Sequence, residues 1–310
     1  MPIKDTHERY ANFYTDFAFK KLFGTEANKE LLISFLNALL EGNEVISDLT
    51  YLNVEHFGAT AANRKAVFDV YCETANGEKI LVEMQKAEQE FFRDRSIFYS
   101  TFPIQEQAQR NRWNFELKRV YTIGILNFTF GYQLDGTETE EYTKTENSRY
   151  RHDVQLVDLG NGKIFSDKLV YIYLEMPKFR KQESELVTLF DKWMYAMKNL
   201  AKLMERPVAL QEAVFERFFE QAEIAKFNPT EMYDYRESQK DLWDMYSVTE
   251  TAEKKGHAAG LEEGMAKGMA KGMEQEKLAN ARKLIANGVP MDSVKTWLDL
   301  TEEQVREIIG

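Results

Sequence analysis

Asp69 and Glu83 are the residues whose type and spacing could do chemistry. They lie in AVFDVYCETANGEKILVEMQ, residues 66–85, where two apolar, β-branched runs flank Ala-Asn-Gly, the pattern of a β-hairpin. Side chains alternate between the two faces of a strand, so the register decides what two carboxylates can do together. A two-residue loop at Asn76 and Gly77 sets Asp69 opposite Met84 and sends the two acids to opposite faces. A three-residue loop, Ala75 to Gly77 with Gly77 left-handed, pairs Thr74 with Glu78 instead. In that register Phe68, Val70, Cys72, Ile80, Val82 and Met84 form one wholly apolar face. Val67, Asp69, Tyr71, Glu73, Lys79, Leu81, Glu83 and Gln85 form the other. Burial of a pure apolar face fixes register strongly, so the three-residue loop is expected. Asp69 then faces Glu83, with Gln85 one step along. Two carboxylates a cross-strand distance apart make a site for a hard cation. The same spacing also suits an ordinary amphipathic hairpin whose polar face is wet.

The rest of the chain must supply elements that hold this hairpin. Thr15 is placed to cap a short helix, Asp16 to Phe23, closed by Gly24. Asp16 and Lys20, four apart, share a face of it. Asn28 is placed to cap a second helix, whose leucines and Phe35 make a wide apolar stripe ending at Gly42. A first strand is expected within Ile46 to Glu55. A helical stretch over residues 88–110 follows the hairpin and should be kinked or divided by Pro103. Strands are expected at Arg119–Phe130, near Val154 and at Lys168–Phe179. Helices follow from Glu183, through Leu210–Ala225 and Asp234–Thr251.

The tail has its own pattern. Gly256, Gly260, Gly264, Gly268 and Gly272 recur every four residues. Each glycine costs a helix about 1 kcal/mol relative to Ala. The repeat therefore reads either as a semi-flexible connector or as a helix face that a second copy of the chain approaches closely, in a homodimer. Short helices follow, with breaks at Gly288–Pro290 and Thr301. The boundary expected is a domain over residues 1–250 and a glycine-repeat helix with a small helical tail over 251–310.

Composition narrows the class. With 310 residues, 44% hydrophobic and 13% aromatic, the chain can bury a large core. Its one cysteine, Cys72, and four histidines without ligand spacing exclude a disulfide framework and a zinc site. The polar N-terminus and the lack of an apolar run of roughly 20 residues give the expectation of a cytoplasmic protein with no membrane partner. A net charge of −11 argues against non-specific coating of nucleic acid. Basic groups at Lys20–Lys21, Arg93–Arg95 and Arg110–Arg119 are interleaved with acids.

Three blocks together carry a resemblance. D-x(13)-E-x-Q with LVEMQ at its core, the opening DFAFKKLFG, and RSIFYS at residues 95–100 resemble the PD-(D/E)XK nuclease superfamily. The match is to its Rpn-type branch of recombination-promoting nucleases and transposases, over roughly residues 14–200. The resemblance implies a restriction-endonuclease-like α/β core, a mixed central sheet flanked by helices, with an all-helical C-terminal extension. It implies a DNA endonuclease using Mg²⁺ or Mn²⁺. Asp69, Glu83 and the Met84 carbonyl would be metal ligands, Asp16 a third acid nearby, and Gln85 would orient the attacking water. Arg95, Tyr99 and Lys20 would contact substrate. Gln85 stands where the superfamily carries Lys and cannot move a proton. The alternative is a non-catalytic DNA-binding or dimerising protein on a degenerate nuclease fold.

Overall fold

In the computed structural model, which describes residues 8–42, 45–53, 55–56, 66–87, 90–108, 114–129, 145 and 147–309, the hairpin is formed by β4 (Val70–Thr74) and β5 (Lys79–Gln85). Val70 pairs with Val82, Cys72 with Ile80 and Glu73 with Lys79. The Thr74 N–H donates to the Glu78 carbonyl at 2.9 Å and the Gly77 N–H to the Thr74 carbonyl at 2.9 Å. Gly77 takes a φ of +82°, a conformation that favours glycine. The loop is therefore the three-residue one, chosen by the apolar face.

That hairpin lies within a six-stranded mixed sheet of order β1-β4-β5-β6-β8-β7. The strand β1 (Leu49–Tyr51) pairs antiparallel with β4, and β5 runs parallel to β6 (Val120–Leu126). On its far side β6 runs parallel to β8 (Lys163–Glu175), which β7 (Arg151–Asp158) edges antiparallel. A separate two-stranded ribbon joins β2 (Glu55–His56) to β3 (Ala66–Val67).

One face of the sheet buries Val70, Cys72, Ile80, Val82 and Met84 with Ile123 and Ile125 of β6. Helices α1 (Asp16–Phe23), α2 (Lys29–Leu39), α4 (Leu189–Asn199) and α5 (Ala213–Ala222) belong to this main core. At its centre Trp193 meets Phe215 and Phe218, with ring centroids 4.9 and 5.3 Å away. Each such side chain, fully buried, is worth about 1.5–3 kcal/mol. The other face lies under α3 (Phe92–Glu106), and it is not wet: Tyr71 and Leu81 are fully buried there.

Several expectations are corrected. Phe68 packs with Tyr71 and Leu81 on the α3 side rather than with Val70. It and Asp69 lie in a bend outside the ladder, where strict alternation lapses. Pro103 neither ends nor divides α3, since it sits in the last turn, where one missing N–H interrupts little. Asn28 makes no side-chain cap for α2; its Nδ2 donates to the Lys21 carbonyl at 2.8 Å and closes α1 instead. Thr15 does cap α1, accepting from the Ala18 N–H at 3.2 Å. A Cβ at Gly24 would stand 2.9 Å from the Lys20 carbonyl oxygen, so α1 must stop on glycine.

The chain divides into two compact units, Met1–Met245 and Tyr246–Gly310. The helix α6 (Pro229–Ala286) starts in the first and continues through all five repeat glycines, which are thus helical. In the second unit α7 (Met291–Trp297) and α8 (Glu302–Ile309) close a small core of Ala281, Val294 and Leu300. Among the described residues no helix is long and apolar enough to cross a membrane.

Candidate active site

The bend that misplaces Phe68 is what sets the two acids in contact with one another's backbone. Asp69 Oδ2 accepts from the Met84 N–H at 2.8 Å. The Asp69 backbone lies near the Glu83 carboxylate and favours its charged form. Asp69 is thus tied to the other strand of the hairpin. Gln85 Nε2 donates to Glu83 Oε2 at 3.2 Å, and Arg95 Nη2 donates to Gln85 Oε1 at 2.5 Å. A chain of contacts thus runs from α3 through Gln85 to Glu83. Glu83 Oε1 is buried and has no hydrogen-bond partner among the described residues.

Electrostatics follow from this burial. Desolvation, then the nearby Asp69 charge, push the Glu83 carboxyl up to about 8, against the pull of Arg95. Desolvation also raises Asp69, helped by the Asp16 charge; the Met84 N–H, Lys20 and Lys86 act in the opposite direction. Two acids this close and this dry resist ionising together.

Asp16 and Lys20 reach the site from α1. They form an ion pair at 3.0 Å with both side chains about half exposed. Such a pair contributes little to stability. They share with Asp69 a cleft of about 940 Å³ whose far wall is the start of α6, with Glu231, Asp234, Glu237 and Asp241. That wall is docked by the Tyr235 hydroxyl, which accepts from the Asn12 N–H at 2.9 Å, and by Ser238 Oγ, which accepts from the Phe17 N–H at 3.1 Å. Sequence reading passed over these acids. The spacing of Asp234, Glu237 and Asp241 along one helix face was the available signal.

Arg95 and Tyr99 lie one turn apart on α3, as the sequence placed them. The Arg95 guanidinium stands over the rings of Phe92 and Tyr99, 5.6 and 5.9 Å from their centroids. Tyr99 is half-buried and packs edge-on against Phe68 at 5.3 Å. Arg95 is thus in contact with Gln85 and with two rings. Arg110 and Arg112 lie outside the described residues.

The donor set can be tested against a metal. Among the described residues no three His, Cys, Asp or Glu side chains gather to hold a metal ion. Two carboxylates and the Met84 carbonyl remain. All are hard oxygen donors, and one carboxylate oxygen is buried and unpartnered. That set fits Mg²⁺ or Mn²⁺, which keep several waters of their own.

Residues 13–252 match the family described as PD-(D/E)XK nuclease family transposase. The chain belongs to that family. No curated protein and no solved structure gives a significant match. The mixed six-stranded sheet flanked by helices is the restriction-endonuclease-like α/β fold of PD-(D/E)XK nucleases. The family match takes in α1, the hairpin, α3 and the acidic start of α6.

Proposed function

We propose that this PD-(D/E)XK protein is a divalent-metal-dependent DNA endonuclease, hydrolysing phosphodiester bonds at the Asp69–Glu83 pair. The observation that carries the reading is the acid pair itself. The buried Glu83 and the half-buried Asp69 are each raised by desolvation, each carboxylate feels a neighbouring acid's charge, and a Glu83 oxygen is unpartnered among the described residues. Asp69, Glu83 and the Met84 carbonyl would hold the ion. Bound there, Mg²⁺ or Mn²⁺ supplies a water of lowered pKa and a positive charge for the phosphate. Gln85 holds Glu83 Oε2 through its amide nitrogen and can orient a water, without taking its proton. Arg95 fixes Gln85, Tyr99 supports Arg95, and Lys20 with Asp16 stands at the mouth of the cleft. DNA as substrate is inferred from the family.

A nicking assay on plasmid DNA with Mg²⁺ or Mn²⁺ tests this. Asp69→Ala and Glu83→Ala should each lower the rate by at least about a thousandfold, with folding retained by circular dichroism. Wild-type protein that neither nicks DNA nor binds Mn²⁺ overturns it. A second reading draws on two observations. Gln85 cannot take up or release a proton in catalysis, and α6 exposes Leu261, Met265, Met269 and Met273 beside glycines where an added Cβ would meet nothing within 4 Å. Both suit a non-catalytic protein that forms a homodimer through this helix face. Sedimentation of a dimer by an inactive wild type favours it.

A further inference from the structure

The parallel ladders set Glu83, Gly124 and Tyr173 side by side in one row of the sheet, and Leu81, Thr122 and Tyr171 in another. Over these rows α3 carries Ser96 and Ser100, both buried. The Ser96 and Tyr173 hydroxyls meet at 2.6 Å, and the Ser100 and Tyr171 hydroxyls at 2.8 Å. The order of these contacts sets α3 antiparallel to β8. Their spacings agree, since four residues of helix advance about 6 Å and two residues of strand about 6.6 Å. Two matched rungs therefore fix the height of α3 along β8.

The rungs have a direction. Ser96 Oγ donates to the Arg93 carbonyl at 2.7 Å, and Ser100 Oγ to the Ile97 carbonyl at 2.7 Å. A serine hydroxyl has one hydrogen, so each tyrosine is the donor to its serine. Burial pushes the Tyr173 hydroxyl up to about 12, and it keeps the hydrogen that it donates. Gly124 admits this arrangement: a Cβ there would stand 2.9 Å from Tyr173 Cδ1, 3.3 Å from Leu126 and 3.5 Å from Phe92. The Tyr173 ring thus lies against bare β6 backbone and reaches Ser96, the residue next to Arg95.

We propose that Tyr173, through Ser96, is a positioning residue for Arg95, and that this rung keeps the chain Arg95–Gln85–Glu83 in line. Arg95 Nη2 donates to Gln85 Oε1 from the helix position beside Ser96, and Gln85 Nε2 donates to Glu83 Oε2. Gln85 belongs to β5 and Tyr173 to β8, with β6 between them. A helix held to β8 at a set height and rotation is what brings Arg95 to Gln85 across that span. Tyr173 is buried and acts on the acids through Arg95. The consequence for catalysis rests on the endonuclease reading; the hold on Arg95 does not.

Tyr173→Phe and Ser96→Ala remove the same rung from opposite ends. Crystals of either variant should show Arg95 withdrawn beyond hydrogen-bond reach of Gln85 Oε1, with the contact present in wild type. In plasmid nicking with Mn²⁺, each variant should lower kcat about tenfold and leave KM within about twofold of wild type. In an Arg95→Ala background Tyr173→Phe should lower kcat no further, whereas a merely structural role would lower it in both backgrounds. An Arg95–Gln85 contact that survives in both variants overturns the proposal. So does an unchanged kcat, or a tenfold loss that persists without Arg95. Wild-type protein that nicks no DNA sinks the endonuclease reading alone, and the crystals then decide the rung. If Tyr173→Phe does not fold, Ser96→Ala carries the same comparisons.

Discussion

The two faces of β5 are one residue apart in the chain and are buried for different ends. Ile80, Val82 and Met84 enter a core that is apolar throughout, continuous with the aromatic cluster around Trp193. Leu81 and Glu83 point the other way, under α3, where tyrosines, serines and carboxyls share the burial. There Ser96 and Tyr173 hydroxyls meet at 2.6 Å, and Ser100 and Tyr171 hydroxyls at 2.8 Å. The first face supplies stability and register. The second uses that rigidity to hold two acids in a place they would otherwise leave by ionising into water. The lesson is that the site is held from behind: the apolar face fixes where Glu83 must stand, and the bend before β4 brings Asp69 to the Met84 N–H.

The comparison can be broken from the apolar side with the largest effect. Val82→Asp puts an unpaired charge into the main core and should unfold the protein, a loss of more than about 4 kcal/mol visible as the absence of a cooperative melt. A folded variant would mean that the face is less closed than its burial indicates.

The site face should answer in the opposite sense. Glu83 is raised from an ordinary carboxylate value to about 8, so the folded state binds its proton more tightly than the unfolded state does. That contribution is fully present below about pH 4.5, the unfolded value, and is lost as pH rises through about 8. Each unit of the shift corresponds to about 1.4 kcal/mol. Glu83→Gln removes the titration, so the metal-free variant should melt close to wild type near pH 4.5 and clearly above it at pH 9, with Mn²⁺ binding abolished. Parallel pH profiles for the two proteins would contradict the buried, protonated Glu83.

The smallest effect belongs to the exposed rim. The Asp16–Lys20 pair is open to solvent, so Lys20→Ala should change stability by no more than about 0.5 kcal/mol. A salt-dependent loss of DNA affinity without a change in melting would sharpen the division between residues that hold the site and residues that meet the substrate.

The sequence made the hairpin legible because a pure apolar face admits one register, and the three-residue loop follows from it. It also marked Asp69, Glu83 and Gln85 as candidates, and where along the chain most of the strands lie. What it concealed has physical causes. Alternation does not reveal a bend, so Phe68 was assigned to the wrong face. Nor does it say which face a later helix will cover, although Tyr71 and Leu81 among the acids were a hint that the polar side was not wet. The Arg95–Gln85 contact joins β5 to a helix that begins beyond it, and no spacing rule reaches across the intervening turn. The acidic wall of α6 comes from some 160 residues further along the chain, beyond any local pattern. The glycine repeat was ambiguous because propensity opposes a helix there, yet α6 runs through it.

The hairpin also offers a place for a reporter. Cys72 is the molecule's sole thiol, wholly buried in β4 and pushed up to about 12 by desolvation, so it should ignore maleimides and other alkylating probes. Ala75, at the loop tip, is exposed and lies six residues from Asp69, about 20 Å along the strand. An Ala75→Cys substitution would therefore give a protein with a single reactive position at a known remove from the acids. A nitroxide or dye attached there would read a paramagnetic ion arriving at Asp69 and Glu83 as a distance, without any native side chain of the site being touched.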